Sequence, residues 1–282
     1  MIAAAFVLFA IGAGDLVREF MPAARRWVGL LTGAVVLLAV GALSAALPAA
    51  LLAVVVAAGW VWLTPIGARS RAGFWPVVVV GAIAGILVAV FPARPEAGLI
   101  GEVWNLQTPA GPLSFDQAVL IAGTVVFLLE SANVVVRTAL AQGSVVVSKA
   151  TSDAMPVTQD SADAALPVVS EPQQAINANG PAEPRPALDA TEVPSSPRTA
   201  LKGGRLIGPL ERLLVLSLTL AGMYPLVAAI LAAKGIVRFP EISRDSAAGN
   251  RAEYFLVVSF VSWTVALAAA FLVWWAFATP GP

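Results

Sequence analysis

The chain has 282 residues, of which 59% are hydrophobic and 12% charged, and its mean hydropathy of +0.84 is far above that of a soluble globular protein. Seventeen basic residues balance seventeen acidic ones, so the net charge gives no argument for nucleic acid as a partner. The absence of cysteine and histidine excludes disulfides, Cys/His zinc sites, Ser-His-Asp triads and histidine-ligated haem. The composition predicts an all-α polytopic integral membrane protein that has the lipid bilayer as its partner and needs no cofactor and no metal.

The first half of the chain contains five apolar runs, which predict a five-helix membrane part over residues 1–142. Arginines follow the first run instead of preceding it, which is the reverse of a cleaved signal peptide, so we expect a retained anchor with Arg18 at the membrane interface. Pro48 suits the first turn of a helix and predicts a tight hairpin there. Residues 99–106 are expected to form a short amphipathic turn on the membrane surface. We expect the helices at about 2–16, 28–47, 48–63, 74–91 and 115–141.

The composition changes sharply at residues 143–202, which contain eight prolines and no aromatic residue. Such a segment cannot bury enough apolar surface to fold and predicts a disordered linker. Residues 203–282 then form a C-terminal membrane part with apolar runs at 206–238 and 253–277. Gly222 suits the end of one helix and Pro225 the start of another, which favours a helical hairpin at 206–238 over one long helix. The chain is thus expected to have seven to eight membrane segments in a 5 + 3 arrangement.

The distribution of positive charge predicts the orientation. With a hairpin at 206–238, sixteen of the seventeen Lys and Arg residues fall on one side of the membrane or in the adjoining half of a helix, and only Arg94 falls on the other. The positive-inside rule then places both termini outside and the linker in the cytoplasm of a bacterial plasma membrane. One long helix would move Lys234, Arg238 and two further arginines outside and fits the rule less well.

The fifth predicted helix carries three polar residues, Glu130, Asn133 and Arg137, which are spaced three and four apart. Residues at this spacing project from one helical face. Charges at the centre of a membrane helix cost roughly 2.5–3.5 kcal/mol each on insertion scales, so they face protein or water. Glu130 is the deepest carboxylate, and both a structural pair with Arg137 and a proton-carrying role remain open.

The predicted hairpin carries a second set of charges. Folding it about Tyr224 brings Glu211 within reach of Lys234 and Arg238, because hairpin partners lie at positions symmetric about the turn. Arg212 then points toward one of three carboxylates, Glu130, Glu241 or Glu253. A structural role and a binding role both remain open for the candidate polar cluster, which comprises Glu130, Asn133, Arg137, Glu211, Arg212, Lys234, Arg238, Glu241 and Glu253.

Short motifs of the C-terminal part occur in a recognisable combination. Gly-Arg-Leu-Ile-Gly-Pro at 204–209 is followed by Leu-Glu-Arg at 210–212, Ala-Ala-Lys at 232–234 and Glu-Tyr at 253–254. This pattern resembles a module, a domain of unknown function, of a family of uncharacterised bacterial multi-pass membrane proteins, and it covers about 80 of the 282 residues. The resemblance implies one assembly of side chains: Glu211, Arg212, Lys234, Arg238, Glu241, Glu253 and Tyr254.

Three classes of function are compatible with these features. The first is a non-enzymatic scaffold or accessory subunit, with other membrane or cytoplasmic subunits or a second copy of the chain as partners. The second is a small transporter or channel using Glu130 and Glu211, although the unlike halves show no inverted repeat of the kind common in transporters. The third is a membrane enzyme acting on a lipid-linked substrate, for which Ser259 and Ser262 lack a neighbouring base.

Overall fold

The computed structural model describes residues 1–65, 75–91, 94, 97–108, 111–140, 204–243 and 248–279, without the side chains of 204–205, 238–243 and 248–255. The segment 143–202, which the sequence predicts to be a linker, lies outside the described residues. The helices, in chain order, are α1 Ile2–Phe20, α2 Arg26–Leu43, α3 Leu47–Leu63, α4 Trp75–Val90, α5 Gly98–Val103, α6 Phe115–Leu140, α7 Gly204–Leu220, α8 Tyr224–Ser243 and α9 Ala248–Ala278. Two strands, β1 Leu106–Thr108 and β2 Gly111–Leu113, lie between α5 and α6.

The described chain is mostly helical, and three of its helical segments are long and apolar enough to cross a membrane: Ala23–Leu43, Phe115–Leu140 and Leu256–Ala278. Shorter apolar helices occur at Leu47–Leu63, Trp75–Val90 and Tyr224–Val237. At about 1.5 Å per residue the 17 residues of α3 reach about 25 Å, somewhat less than the ~30 Å of a bilayer core. The prediction of a helical chain with membrane-spanning helices is confirmed at this level, and these helices are compatible with a membrane location.

Helix α1 is the centre of the molecule and packs against α6, α3, α2 and α4. Its contact with α6 is so close that a Cβ on Gly12 would lie 2.6 Å from the Phe127 backbone nitrogen. A Cβ on Gly123 would likewise lie 2.6 Å from the Ala5 carbonyl oxygen. The sequence placed the end of this helix near residue 16 and Arg18 at the interface. Instead α1 continues to Phe20 and Arg18 is 6% exposed, because its guanidinium has polar partners inside the protein.

Helices α2 and α3 form the predicted hairpin, with α2 ending at Leu43 instead of near residue 47. The two helices meet at the turn, where a Cβ on Gly41 would collide with Ala50. Farther along they separate, because residues of both helices, among them Gly33 of α2 and Val61 of α3, line one cavity, and a Cβ on Gly33 would have no heavy atom within 4 Å. The pair is therefore a wedge that is closed at the turn and open at the other end.

The short helix α5 occupies most of residues 99–106, where the sequence predicted an amphipathic turn, and a small β-hairpin follows it in a fold that was predicted to be all-α. Its antiparallel strands pair Leu106 with Leu113 and Thr108 with Gly111. The Trp104 indole covers the hairpin by donating to the Leu113 carbonyl oxygen at 2.8 Å. Each strand has three residues, which is too short for a period-two pattern to be recognised in sequence.

Arg94 links the segment between α4 and α5 to the α2–α3 turn and to α6. Its guanidinium donates to both carboxylate oxygens of Asp116 at 3.2 and 2.9 Å, and to the Ser44 carbonyl oxygen in the α2–α3 turn at 2.9 Å. Asp116 lies in the first turn of α6, which begins with a capping box between Ser114 and Gln117. One part-buried ion pair thus joins the α2–α3 turn to the start of α6.

The C-terminal part contains two antiparallel helices, α7 and α8, followed by α9. The chain turns at Gly222, whose φ of +71° is the left-handed conformation that glycine adopts freely at the end of a helix. Val215 of α7, Val227 of α8 and Ala266 of α9 form a small apolar cluster of their own. Helix α9 also packs against α4 and α6, so the C-terminal helices contact the N-terminal bundle directly.

Candidate functional site

Helix α6 is irregular where the polar residues begin. Residues Phe127–Ser131 form a π-helical turn that contains Glu130 and Ser131, both of which are buried. The π turn begins at Phe127, whose backbone nitrogen would lie 2.6 Å from a Cβ on Gly12 of α1. Single π turns inside α-helices occur frequently at functional sites. The π turn therefore lies where α6 contacts α1, and the polar residues Asn133 and Arg137 follow it directly.

The first cluster is the α6–α7 network, which consists of Glu130, Asn133, Arg137 and Arg212. The Glu130 carboxylate accepts a hydrogen bond from Arg137 Nη2 at 3.0 Å and another from Asn133 Nδ2 at 3.2 Å. Asn133 Oδ1 in turn accepts from Arg212 Nη2 at 2.6 Å. Arg212 is 2% exposed, whereas the Arg137 side chain is 55% exposed and also lies 3.9 Å from Glu19. The network joins α6 to α7 and contains one carboxylate and two guanidinium groups.

The second cluster, the hairpin site, consists of Glu211, Lys234 and Trp263. Lys234 Nζ donates to the two Glu211 oxygens at 2.8 and 2.6 Å, and Trp263 Nε1 donates to one of them at 2.7 Å. The Lys234 ammonium also lies 5.4 Å from the centroid of the Trp263 ring, within the range of a cation–π interaction. One side chain from each of α7, α8 and α9 therefore meets in the hairpin site.

The third cluster, the α1 site, consists of Asp15, Arg18, Trp60 and Thr64. Arg18 Nη1 donates to Asp15 Oδ1 at 3.0 Å and to Thr64 Oγ1 at 3.2 Å, and Nη2 donates to the Thr64 carbonyl oxygen. Trp60 Nε1 donates to the second Asp15 oxygen at 2.9 Å. Both charged residues are buried and form an ion pair within α1, and the hydrogen bonds with Trp60 and Thr64 link this pair to α3.

The structure brings most of the predicted polar residues into contact. Glu211 meets Lys234 as symmetry about the turn predicts, whereas Arg212 donates to Asn133 of the α6–α7 network instead of directly to one of the three carboxylates considered from the sequence. The side chains of three predicted members, Arg238, Glu241 and Glu253, lie outside the described residues.

Sequence reasoning missed the α1 site. A usable signal was present, because Asp15 and Arg18 are spaced three apart in an apolar helix and so face the same side. Their partners were not predictable in this way, since Trp60 is 45 positions from Asp15 in the sequence.

The three clusters are arranged for pairing more than for reaction. The carboxylates Asp15, Glu130 and Glu211 each contact a cation. Among the residues that the structure describes, no group of three or more acidic side chains is placed to hold a metal ion. Three buried side-chain atoms, Ser131 Oγ, Arg212 Nε and Ser259 Oγ, have no hydrogen-bond partner in the described part of the chain, and Arg212 Nε is the charged one.

Comparison of the chain with family models, with curated proteins and with solved structures finds no match. The resemblance of the C-terminal part to a module of bacterial multi-pass membrane proteins therefore stays a prediction.

Proposed function

We propose that the chain is a non-enzymatic scaffold or accessory subunit of a bacterial plasma membrane. In this proposal a five-helix part, residues 1–142, and a C-terminal part, residues 203–282, make up seven to eight membrane segments in a 5 + 3 arrangement. Both termini lie outside, and the linker 143–202 lies in the cytoplasm, where it is accessible to soluble subunits. Other membrane subunits or a second copy of the chain are the partners within the bilayer.

The observation that carries this proposal is the hydrogen bond between Arg212 and Asn133, which spans 2.6 Å and joins positions 79 residues apart. A guanidinium that is 2% exposed needs partners inside the protein, because an unpaired charge in a membrane interior is costly. The neighbouring carboxylate, Glu130, already accepts from Arg137 and Asn133. These groups are occupied in holding α6 and α7 together, which is what an assembly role requires.

A double-mutant cycle tests the assembly role. Arg212→Met, Asn133→Ala and the double variant are to be purified as full-length chains and unfolded thermally in one detergent. We expect both single variants to be less stable than the wild type, with a coupling energy of about 0.6–1.7 kcal/mol, the range of interhelical hydrogen bonds in membranes. Arg25→Met is the control, because Arg25 is an exposed arginine outside the network and its loss should change the stability by about 0.5 kcal/mol or less. Additive effects of Arg212→Met and Asn133→Ala would contradict the proposal.

The second candidate function is a small transporter or channel using Glu130 and Glu211, and it is favoured by the unpartnered Arg212 Nε, a buried donor available to an anion. Proteoliposomes containing the wild-type chain or Glu130→Gln distinguish the two candidates. A transporter predicts an ion or proton flux that Glu130→Gln abolishes while the unfolding midpoint stays unchanged. The scaffold predicts no such flux and a lower midpoint for Glu130→Gln, because Arg137 and Arg212 then lose the nearby carboxylate.

A further inference from the structure

The wedge between α2 and α3 encloses a groove whose floor is α1. Gly14 lies at the middle of this floor, and a Cβ there would be 3.7 Å from a Leu30 methyl carbon and 3.9 Å from one of Val61. Side chains of α2 and α3 thus reach α1 from the two sides. Small residues of α1 and α2, together with Val61 and Trp62 of α3, leave a space of about 720 Å³.

The size and the lining of the groove fit an alkyl chain. Its volume falls within the roughly 300–1,000 Å³ typical of small-molecule sites. The lining is aliphatic and aromatic throughout, from Phe9 and Leu37 at one end to Trp62 and Pro65 at the other. Along α2 it extends from Gly29 to Leu37, about 12 Å at 1.5 Å per residue, which is close to half of a ~30 Å bilayer core. The length of the groove along α2 is therefore close to the thickness of the hydrocarbon layer of one leaflet.

Two cations, Arg25 and Arg26, lie within one helical turn before Gly29, where the lining of the groove begins on α2. Arg25 is exposed, and Arg26 is half-buried and uses only Nε, which donates to the Met21 carbonyl oxygen at 3.2 Å. Neither arginine has a carboxylate within 4 Å among the described residues, and no acidic residue occurs at positions 20–65. Trp27 near the start of α2 and Trp62 near the end of α3 have exposed indoles, at positions typical of a membrane interface.

We propose that the groove is a binding site for an anionic glycerophospholipid, which places one acyl chain along α1 and its phosphate against Arg25 and Arg26. The apolar lining receives the chain, and the two guanidinium groups, which lack protein carboxylates, receive the phosphate through charge-assisted hydrogen bonds. The lipid comes from the leaflet on the side of Arg25, which is the cytoplasmic leaflet in the topology proposed above. The site is distinct from the three polar clusters and does not depend on a scaffold or transport role.

Native mass spectrometry of the full-length protein in detergent tests the site, with dioleoyl phosphatidylglycerol as probe and dioleoyl phosphatidylcholine as the neutral lipid of equal chains. We expect the first phosphatidylglycerol to bind about 30-fold tighter than phosphatidylcholine, the effect of two cations near an anionic group. Arg25→Gln with Arg26→Gln should bring the two affinities together. Equal affinity of the wild type for both lipids would overturn the proposal.

The apolar half of the site has a matched pair of variants. Gly33 lines the groove and Gly59 does not, yet a Cβ at either position would meet no heavy atom within 4 Å. Gly33→Leu should weaken phosphatidylglycerol binding about tenfold by filling the groove, whereas Gly59→Leu should leave it unchanged, with both variants matching the wild-type unfolding midpoint in lipid-free detergent. Equal binding by the two variants would overturn the proposal. Efficient disulfide formation between copies through Gly33→Cys would also overturn it, because a second copy would then occupy the groove.

Discussion

The α1 site and the hairpin site are built from the same three kinds of group but differ in burial. Each has a carboxylate, a cation and an indole N–H that donates to the carboxylate: Asp15, Arg18 and Trp60 in one, Glu211, Lys234 and Trp263 in the other. The cation and carboxylate side chains are 7% and 1% exposed in the α1 site, but 25% and 11% exposed in the hairpin site.

This difference in burial indicates different roles for one chemical arrangement. The α1 pair lies where the central helix meets α3, so its charges are desolvated and depend on each other and on the hydrogen bonds with Trp60 and Thr64. The hairpin pair lies between helices whose other faces are largely exposed, and Lys234 has only Glu211 and the Trp263 ring as described partners. The α1 site should therefore dominate the stability of the fold, whereas the hairpin site can open at a smaller cost.

Neutralising the two carboxylates should produce the largest difference between the sites. Asp15→Asn leaves Arg18 as a buried charge without a counter-ion and should destabilise the protein by about 3–5 kcal/mol. Glu211→Gln leaves Lys234 partly exposed, with its Nζ able to reach water, and should cost about 1–3 kcal/mol. Folded yield by size-exclusion chromatography and the unfolding midpoint in one detergent measure both effects. Equal losses would show that burial does not distinguish the sites.

Exchanging the cations should have an intermediate effect. In the α1 site the guanidinium bridges Asp15 and Thr64 with two nitrogens, and a lysine has no such fork. Arg18→Lys should therefore destabilise the protein by about 1–3 kcal/mol, because a buried acceptor loses its donor. Lys234→Arg keeps the charge at a partly exposed position, and a guanidinium can also donate to both Glu211 oxygens, so we expect a change of about 1 kcal/mol or less. A greater loss from Lys234→Arg would mean that the hairpin site is the more constrained one.

Part of this arrangement was predictable from sequence, and the reason is local. The helices follow from runs of apolar residues, and the Glu211–Lys234 contact follows from a turn at Gly222 with charges symmetric about it. The contacts of Glu130 with Asn133 and Arg137 follow from helical spacing alone. In each case the partners lie on one helix or on two helices joined by a short turn.

The central position of α1 was not predictable, because a membrane and a protein interior are equally apolar. Hydropathy marks α1 and α2 alike, yet α1 is surrounded by four helices while Val35 and Val36 of α2 are exposed. What distinguishes α1 is the close backbone contact at Gly12 and the polar pair Asp15–Arg18, both of which need partners far away in the sequence. The π turn in α6 and the short β-hairpin have no periodic signal that sequence patterns detect.

Removing the indole donors should give the smallest effects and the most direct comparison of the two sites. Trp263→Phe removes one hydrogen bond from Glu211, which keeps both bonds from Lys234, so the loss should be about 0.6 kcal/mol, the average for hydrogen bonds between membrane helices. Trp60→Phe removes the donor to Asp15 Oδ2 from a buried site, so the loss should be about 1–3 kcal/mol. Thermal unfolding followed by circular dichroism measures both changes without relying on the tryptophan fluorescence that the substitutions alter. If Trp263→Phe lowers the stability as much as Trp60→Phe does, water is excluded from the hairpin site as fully as from the α1 site, and the greater exposure of Lys234 does not weaken its hydrogen bonds.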